Sequence, residues 1–224
     1  MIKSKLSASI MCANPLQMST DLTYLEKQGV DFFHCDIMDG HFVPNLMLST
    51  EVLKAVKKNY HTPLDYHFMV EKPELMLSWF PFGTGDVVSV HYESTCHICR
   101  VLDMIRQMGA TPSLALNPGT SLECLREVID HIGMLLIMTV NPGFAAQKMI
   151  PNGLDKIERA RRMLDELGRS DIPIEVDGNC NQELIPKMEN AGANIFVTGS
   201  SSVFHNELGI EEGWRRTKNL LKKV

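Results

Sequence analysis

Nowhere in this chain do about 18 apolar residues run together, so no stretch has the length and character of a membrane-crossing helix. The opening residues, Met1 to Leu6, carry two lysines but no apolar segment of signal length, and the expected location is the cytoplasm. Long basic runs are missing too: none exceeds two residues, and the net charge of −5 argues against a nucleic-acid surface. Cysteine is present (Cys12, Cys35, Cys96, Cys99, Cys124 and Cys180) but scattered, and an intracellular chain of this size does not need disulfide staples. Cys96-His-Ile-Cys99 has no second Cys-x-x-Cys or His-x-x-x-His to complete a zinc site, so it reads as thiols at the start of a helix. The first strand–helix turn, Ser9 to Pro15, lacks the G-x-G-x-x-G of a dinucleotide fold.

What remains is an ordinary soluble composition, 44% hydrophobic and 22% charged over 224 residues, which fits one domain expected to span residues 1–224. Apolar runs alternate with segments of helical spacing. The expected strands are Leu6 to Met11, Val30 to Ile37, Pro63 to Val70, Asp86 to His91, Thr111 to Leu116, Met134 to Val140, Ile172 to Val176 and Ala193 to Thr198. Helical patterns follow each one, including a segment opened by Pro73 and another carrying Leu122, Leu125, Val128 and Ile129. Eight strand–helix units with short connections and no linker predict an α/β fold, a closed (β/α)₈ TIM barrel, with a doubly wound open sheet as runner-up.

Chemistry in such a barrel collects at the carboxyl ends of the strands. The stretch His34 to Asn45 begins as a strand and ends as a polar loop, and side chains two apart in a strand share a face, so His34 and Asp36 project together. His67 and Asp177 fall at the ends of the third and seventh strands. Two imidazoles and two carboxylates suit one divalent metal ion, Zn²⁺, Fe²⁺, Mn²⁺ or Co²⁺, without choosing among them. His91, at the end of strand four, is a spare. Glycine and serine turns after the last strands, Asp177-Gly178-Asn179 and Thr198 to Ser202, suggest a phosphate site over which Gly143 to Gln147 would close.

Along nearly its whole length the chain resembles the ribulose-phosphate 3-epimerase family. The motifs are Ser9-Ile-Met, His34-x-Asp36-x-Met38-Asp-Gly-x-Phe-Val-Pro-Asn45, Pro63-Leu-Asp-x-His67-x-Met69, Met138-Thr-Val-x-Pro-Gly-Phe144, Gln147, Val176-Asp177-Gly178 and Gly199-Ser200. The resemblance implies that His34, Asp36, His67 and Asp177 bind the metal and that Asp36 and Asp177 are the acid/base pair. It implies that Ser9 and His67 touch the sugar and that Met38, Met69 and Met138 line the site. Gly143, Phe144, Ala145, Ala146, Gly178, Asn179, Gly199 and Ser200 would hold the phosphate of a small-molecule ketose phosphate. A homo-oligomer is also implied. Three departures bear on the substrate: Ala145-Ala146 where the family usually has Gly-Gly, Asn179 for the second glycine of Asp-Gly-Gly, and Met11-Cys12 after strand one. Met11-Cys12 and the Asp177-Gly178-x-Cys180-Asn181-Gln182 pattern look more like the allulose-6-phosphate 3-epimerase branch, so the local motifs favour D-allulose 6-phosphate to D-fructose 6-phosphate. D-ribulose 5-phosphate to D-xylulose 5-phosphate is the alternative on the breadth of the family.

The residue set suits the chemistry independently. Inverting C3 of a 2-ketose removes a weakly acidic C–H beside a carbonyl and returns a proton to the other face, work for two carboxylates. A metal at the C2 and C3 oxygens would stabilise the enediolate. A Schiff-base aldolase would want a lysine facing inward from a strand, and none of the expected strands offers one. A metal hydrolase would not need three methionines around the site, and a silent sugar-phosphate sensor would be expected to have lost one of the two aspartates.

Overall fold

The computed structural model describes residues 2–221. Its sheet contains β1 (Lys5–Ser9), β2 (Phe32–Asp39), β3 (Leu46–Met47), β4 (Leu64–Met69), β5 (Val87–His91), β6 (Thr111–Leu116), β7 (Met134–Met138), β8 (Ile174–Asp177) and β9 (Ile195–Thr198). All neighbours are parallel except β3, which folds back antiparallel on the end of β2, and β1 pairs with both β2 and β9. That double pairing closes eight strands into the expected (β/α)₈ barrel. The α-helices are α1 (Met18–Lys27), α2 (Thr50–Asn59), α3 (Ile98–Gln107), α4 (Leu125–Val128), α5 (Gly153–Glu166), α6 (Leu184–Asn190) and α7 (Gly209–Lys218). No helix among the described residues is long and apolar enough to cross a membrane.

Strand parity divides the core. One set of alternate residues, among them Phe33, Cys35, Ile37, Tyr66, Phe68, Val88 and Val90, packs beneath Leu22, Leu25, Leu53, Val56, Leu102 and Ile105 of the helices. The other set fills the barrel in layers. Phe32, Val87, Met134 and Ile195 plug the amino end. Above them lies a buried polar layer, Ser7, Asp65, Ser89, Ser113 and Glu175. The candidate site sits above that layer. The strands are thus less uniformly apolar than a parallel sheet requires, because half of their inward positions serve the site.

Two expected helices are absent as such. After β4 the chain makes two single 3₁₀ turns, Pro73–Leu75 and Leu77–Trp79, with Leu75 and Trp79 exposed. Pro81 holds Phe80 in extended backbone, which stops the second turn from growing into a helix. After β6 the expected helix is split into a 3₁₀ turn, the four-residue α4 and another 3₁₀ turn. β1 ends at Ser9 rather than Met11, where Ile10–Cys12 forms a 3₁₀ turn. It also begins one residue earlier than expected, so a strand lysine exists after all. Lys5 is at the amino end, its Nζ 5.1 Å from the centre of the Phe32 ring and therefore at the opposite end of the barrel from the site.

Candidate metal and sugar-phosphate site

Because His34 and Asp36 are two apart on β2, and His67 lies beside Asp36 in the β2–β4 register, three of the four side chains meet by strand geometry alone. β8 brings Asp177 from across the barrel. His34 Nε2 is 3.3 Å from Asp36 Oδ1 and 3.9 Å from Asp177 Oδ2, and His67 Nδ1 is 3.5 Å from each of these oxygens. A tetrahedral ion with bonds of about 2.0–2.1 Å has ligand–ligand edges of about 3.3–3.4 Å, so the separations fit. Both facing nitrogens are buried and have no hydrogen-bond partner in the protein. Burial opposes charging His34, yet Asp65 and Asp36 raise its pKa well above the ordinary imidazole value. Burial likewise opposes ionising Asp36, but His34 and then His67 hold its pKa down. The cluster therefore demands positive charge, supplied by protons or by a metal ion that displaces them.

The groups behind the cluster orient it. His34 Nδ1 is 2.6 Å from Asp65 Oδ2, which also accepts the Ser7 hydroxyl at 2.7 Å. With Nδ1–H committed to Asp65, the Nε2 lone pair points into the cluster. Burial, reinforced by Asp65, pushes the Glu175 carboxyl up, so that pair shares one charge. Asp36 Oδ2 accepts the Ser9 hydroxyl at 2.8 Å. His67 Nε2 meets His91 Nε2 at 2.9 Å, and His91 Nδ1 is 3.3 Å from Glu93 Oε2. Burial pushes His91 down to about 4. Glu93 is held at about 2 against the desolvation that would raise it, by hydrogen bonds from His91 and Thr120.

A cleft opens above the cluster. Its lining includes every residue expected at the site except His34 and His67, which lie sealed beneath: Ser9, Asp36, Met38, Met69, Met138, Gly143, Phe144, Ala145, Ala146, Asp177, Gly178, Asn179, Gly199 and Ser200. Met38, Met69 and Met138 are buried, whereas Phe144 stands half exposed on the rim. Gly178 is at φ +118°, and a Cβ there would fall 2.7 Å from Thr139 Oγ1, so the turn after Asp177 lies directly on the residues that follow β7. Asn179 and Ala146 also take positive φ, 52° and 61°, conformations that glycine adopts more readily. The helix after β9 begins only at Gly209, so the Gly199–Ser202 turn does not open a helix.

Two features were not anticipated from the sequence. Asp65, within a motif, and Glu175, within an expected strand, have no task in the sequence reading, although each lies two residues before an expected ligand and therefore on the same face, one layer deeper. Asp39, which stands in the His34 to Asn45 motif without an assigned role, builds the loop after β2. Its carboxylate accepts the backbone N–H groups of His41, Phe42 and Glu71. Met11, Cys12 and Cys180 also line the cleft.

A closed (β/α)₈ barrel with an inward His₂Asp₂ cluster at the carboxyl ends of its strands defines a barrel enzyme able to hold one divalent ion. The chain belongs to the ribulose-phosphate 3-epimerase family, whose sequence model matches residues 5–204. It is 40% identical to the ribulose-phosphate 3-epimerase of Bacillus subtilis (strain 168), over 88% of this chain and 91% of that one. The protein of the same name from Buchnera aphidicola subsp. Schizaphis graminum is 38% identical, over 89% and 88%. Among solved structures, a ligand complex of KGPDC from Streptococcus mutans superposes with a TM-score of 0.72 over 97% of this chain and 96% of that one. At 11% identity that likeness speaks for the barrel alone. The chain is an isomerase, and its His/Asp cluster can bind a metal ion.

Proposed function

We propose that this chain inverts C3 of a phosphorylated D-ketose, interconverting D-ribulose 5-phosphate and D-xylulose 5-phosphate. The observation that carries this reading is the pairing of Asp36 and Asp177 around two unpartnered imidazole nitrogens at the floor of the cleft. One carboxylate takes the C3 proton. The other, protonated, returns one to the opposite face, so the sugar ends with its atoms and charge unchanged and only the configuration reversed. The Ser9 hydroxyl holds Asp36 Oδ2 and so fixes which oxygen faces the substrate. Met38, Met69 and Met138 pack against the flat, deprotonated carbon skeleton and keep water from it. Backbone N–H groups of Gly178, Asn179, Gly199 and Ser200, with the rim from Gly143 to Ala146, hold the phosphate. His34 and His67, with the two aspartates, would hold a divalent ion, which supplies Lewis acidity to the ketose oxygens when the C3 proton leaves.

The names of the relatives favour the pentulose phosphate over the hexulose phosphate that the local motifs suggested. D-Allulose 6-phosphate remains the second reading, because the departures behind it, Cys12, Asn179 and Cys180, all line the cleft. Metal-reconstituted protein in D₂O, offered each sugar separately and followed by NMR, decides between them. Deuterium at C3 with the 3-epimer appearing establishes the reaction, and the larger kcat/KM names the substrate. Absence of exchange and epimer from both sugars would overturn the reading. The same reading includes a cytoplasmic homo-oligomer, tested by sedimentation.

A further inference from the structure

Of the two imidazoles facing the cluster, His34 has an obvious partner in the Asp65 carboxylate, whereas His67 has only another imidazole. His67 Nε2 and His91 Nε2 are 2.9 Å apart, with ring centroids separated by 5.0 Å and planes inclined at 28°, an arrangement in which the rings meet nitrogen to nitrogen. One of these nitrogens must donate and the other accept. Which does so is decided further back. The remaining nitrogen of His91, Nδ1, faces Glu93 Oε2 at 3.3 Å, and the other carboxylate oxygen, Oε1, accepts from the backbone N–H of Asn117 at 3.0 Å and from the Thr120 hydroxyl. A carboxylate so occupied can only accept, so His91 must carry its proton on Nδ1 and offer a lone pair at Nε2. His67 must then donate from Nε2, and its Nδ1 is left as a lone pair.

That nitrogen is the one lying 3.5 Å from both Asp36 Oδ1 and Asp177 Oδ2 with no partner of its own. We propose that His91 and Glu93 are positioning residues that lock His67 in its Nε2–H tautomer and so aim the Nδ1 lone pair at the metal ion. Phe42 packs on the His91 ring, with centroids 4.7 Å apart, and its loop is built on the Asp39 carboxylate, so the relay is held from the rim as well as from β5. Neither residue touches substrate; both act through His67. This inference rests on the metal reading of the cluster.

The test uses Co²⁺ as probe, titrated into the full chain against a competing chelator while its visible absorption band is followed. His91→Phe keeps a ring beside Phe42 but removes the acceptor, and is expected to weaken Co²⁺ binding about 10–100-fold and to alter the band. His91→Gln restores an amide oxygen that can accept from His67 and an amide N–H for Glu93, and is expected to regain most of the affinity. Glu93→Ala weakens binding less, and adds nothing further in the His91→Phe background, where the relay is already cut. Co²⁺ affinity and band unchanged in His91→Phe would overturn the proposal, as would an equal loss in His91→Gln, which would mark a packing role. A wild-type chain that takes up no Co²⁺ would overturn the metal reading as well, and is distinguishable from variants that match a wild type that binds.

Discussion

The cluster has a sealed side and an open side. On the β2 side, His34 is fully buried and Asp36 is 3% exposed, with Ser9, Asp65 and Ser7 packed behind them. On the β8 side, the Asp177 side chain is 19% exposed to the cleft and is followed by a tight turn rather than a packed strand. A buried carboxylate stands directly behind His34, whereas His67 reaches its carboxylate only through a neutral imidazole. The two aspartates of the proposed acid/base pair are chemically alike but differ in their access to water. The sealed one is held by fixed hydrogen bonds and the open one is positioned by the backbone, so damage on the two sides should have different signatures.

The largest effects belong to the pair itself. Asp36→Asn and Asp177→Asn should each lower kcat for epimerisation by about 10²–10⁴-fold. The Asp36 variant should lose more Co²⁺ affinity, because Asp36 Oδ1 lies within 3.5 Å of both histidines. Equal losses of affinity would break the comparison. Next comes the support of the sealed side. Asp65→Ala strips the acceptor from His34 and Ser7 and should lower unfolding free energy in urea by about 3–5 kcal/mol. On the open side, Gly178→Ala should cost about 1–3 kcal/mol in the same assay, since it combines a positive φ with a collision against Thr139 and Val140.

The smallest effect is a pH slope. His34 has a folded-state pKa raised above its ordinary 6.5, so its contribution to the metal-free fold is complete below that value and lost as pH rises through the raised one. Glu175, raised above 4.5, acts in the same direction from that value upward. Asp36 and Asp65 are depressed, so their contributions fade only as pH falls below 3.8. His91, pushed down to about 4, acts in the opposite sense to Glu175 up to 6.5, so the Tm of metal-free protein should fall as pH rises above 6.5, and Zn²⁺ should flatten the part due to His34 by occupying its Nε2. An identical slope with and without Zn²⁺ would remove His34 from the sealed side's account.

Much of this was readable from residue order. The eight barrel strands were visible as apolar runs ending in polar residues, and period-two geometry was enough to put His34 beside Asp36. The failures have physical causes. The pattern after Pro73 has helical apolar spacing, but Leu75 and Trp79 point to solvent and Pro81 ends the segment, so no helix closes. Asp65 and Glu175 were hidden because a buried carboxylate makes sense only when its partner is known, and their partners lie on other strands. His91 looked like a spare for the same reason: its neighbour His67 is 24 residues away in sequence. The substrate was least legible, since Cys12 and Asn179 line the cleft but stand outside the cluster of His34, Asp36, His67 and Asp177.

One hydrogen bond of the rim carries a kinetic consequence. Asn45 Nδ2 donates to the Gly143 carbonyl at 2.8 Å, and Val43 packs so closely that a Cβ on Gly143 would stand 3.1 Å from its own. The loop after β2 and the loop after β7 are stapled together, so neither swings without the other. Any motion that admits a sugar phosphate must carry both loops together, and its capture should relax in a single exponential phase. Asn45→Ala, by freeing the halves, should split that phase in two.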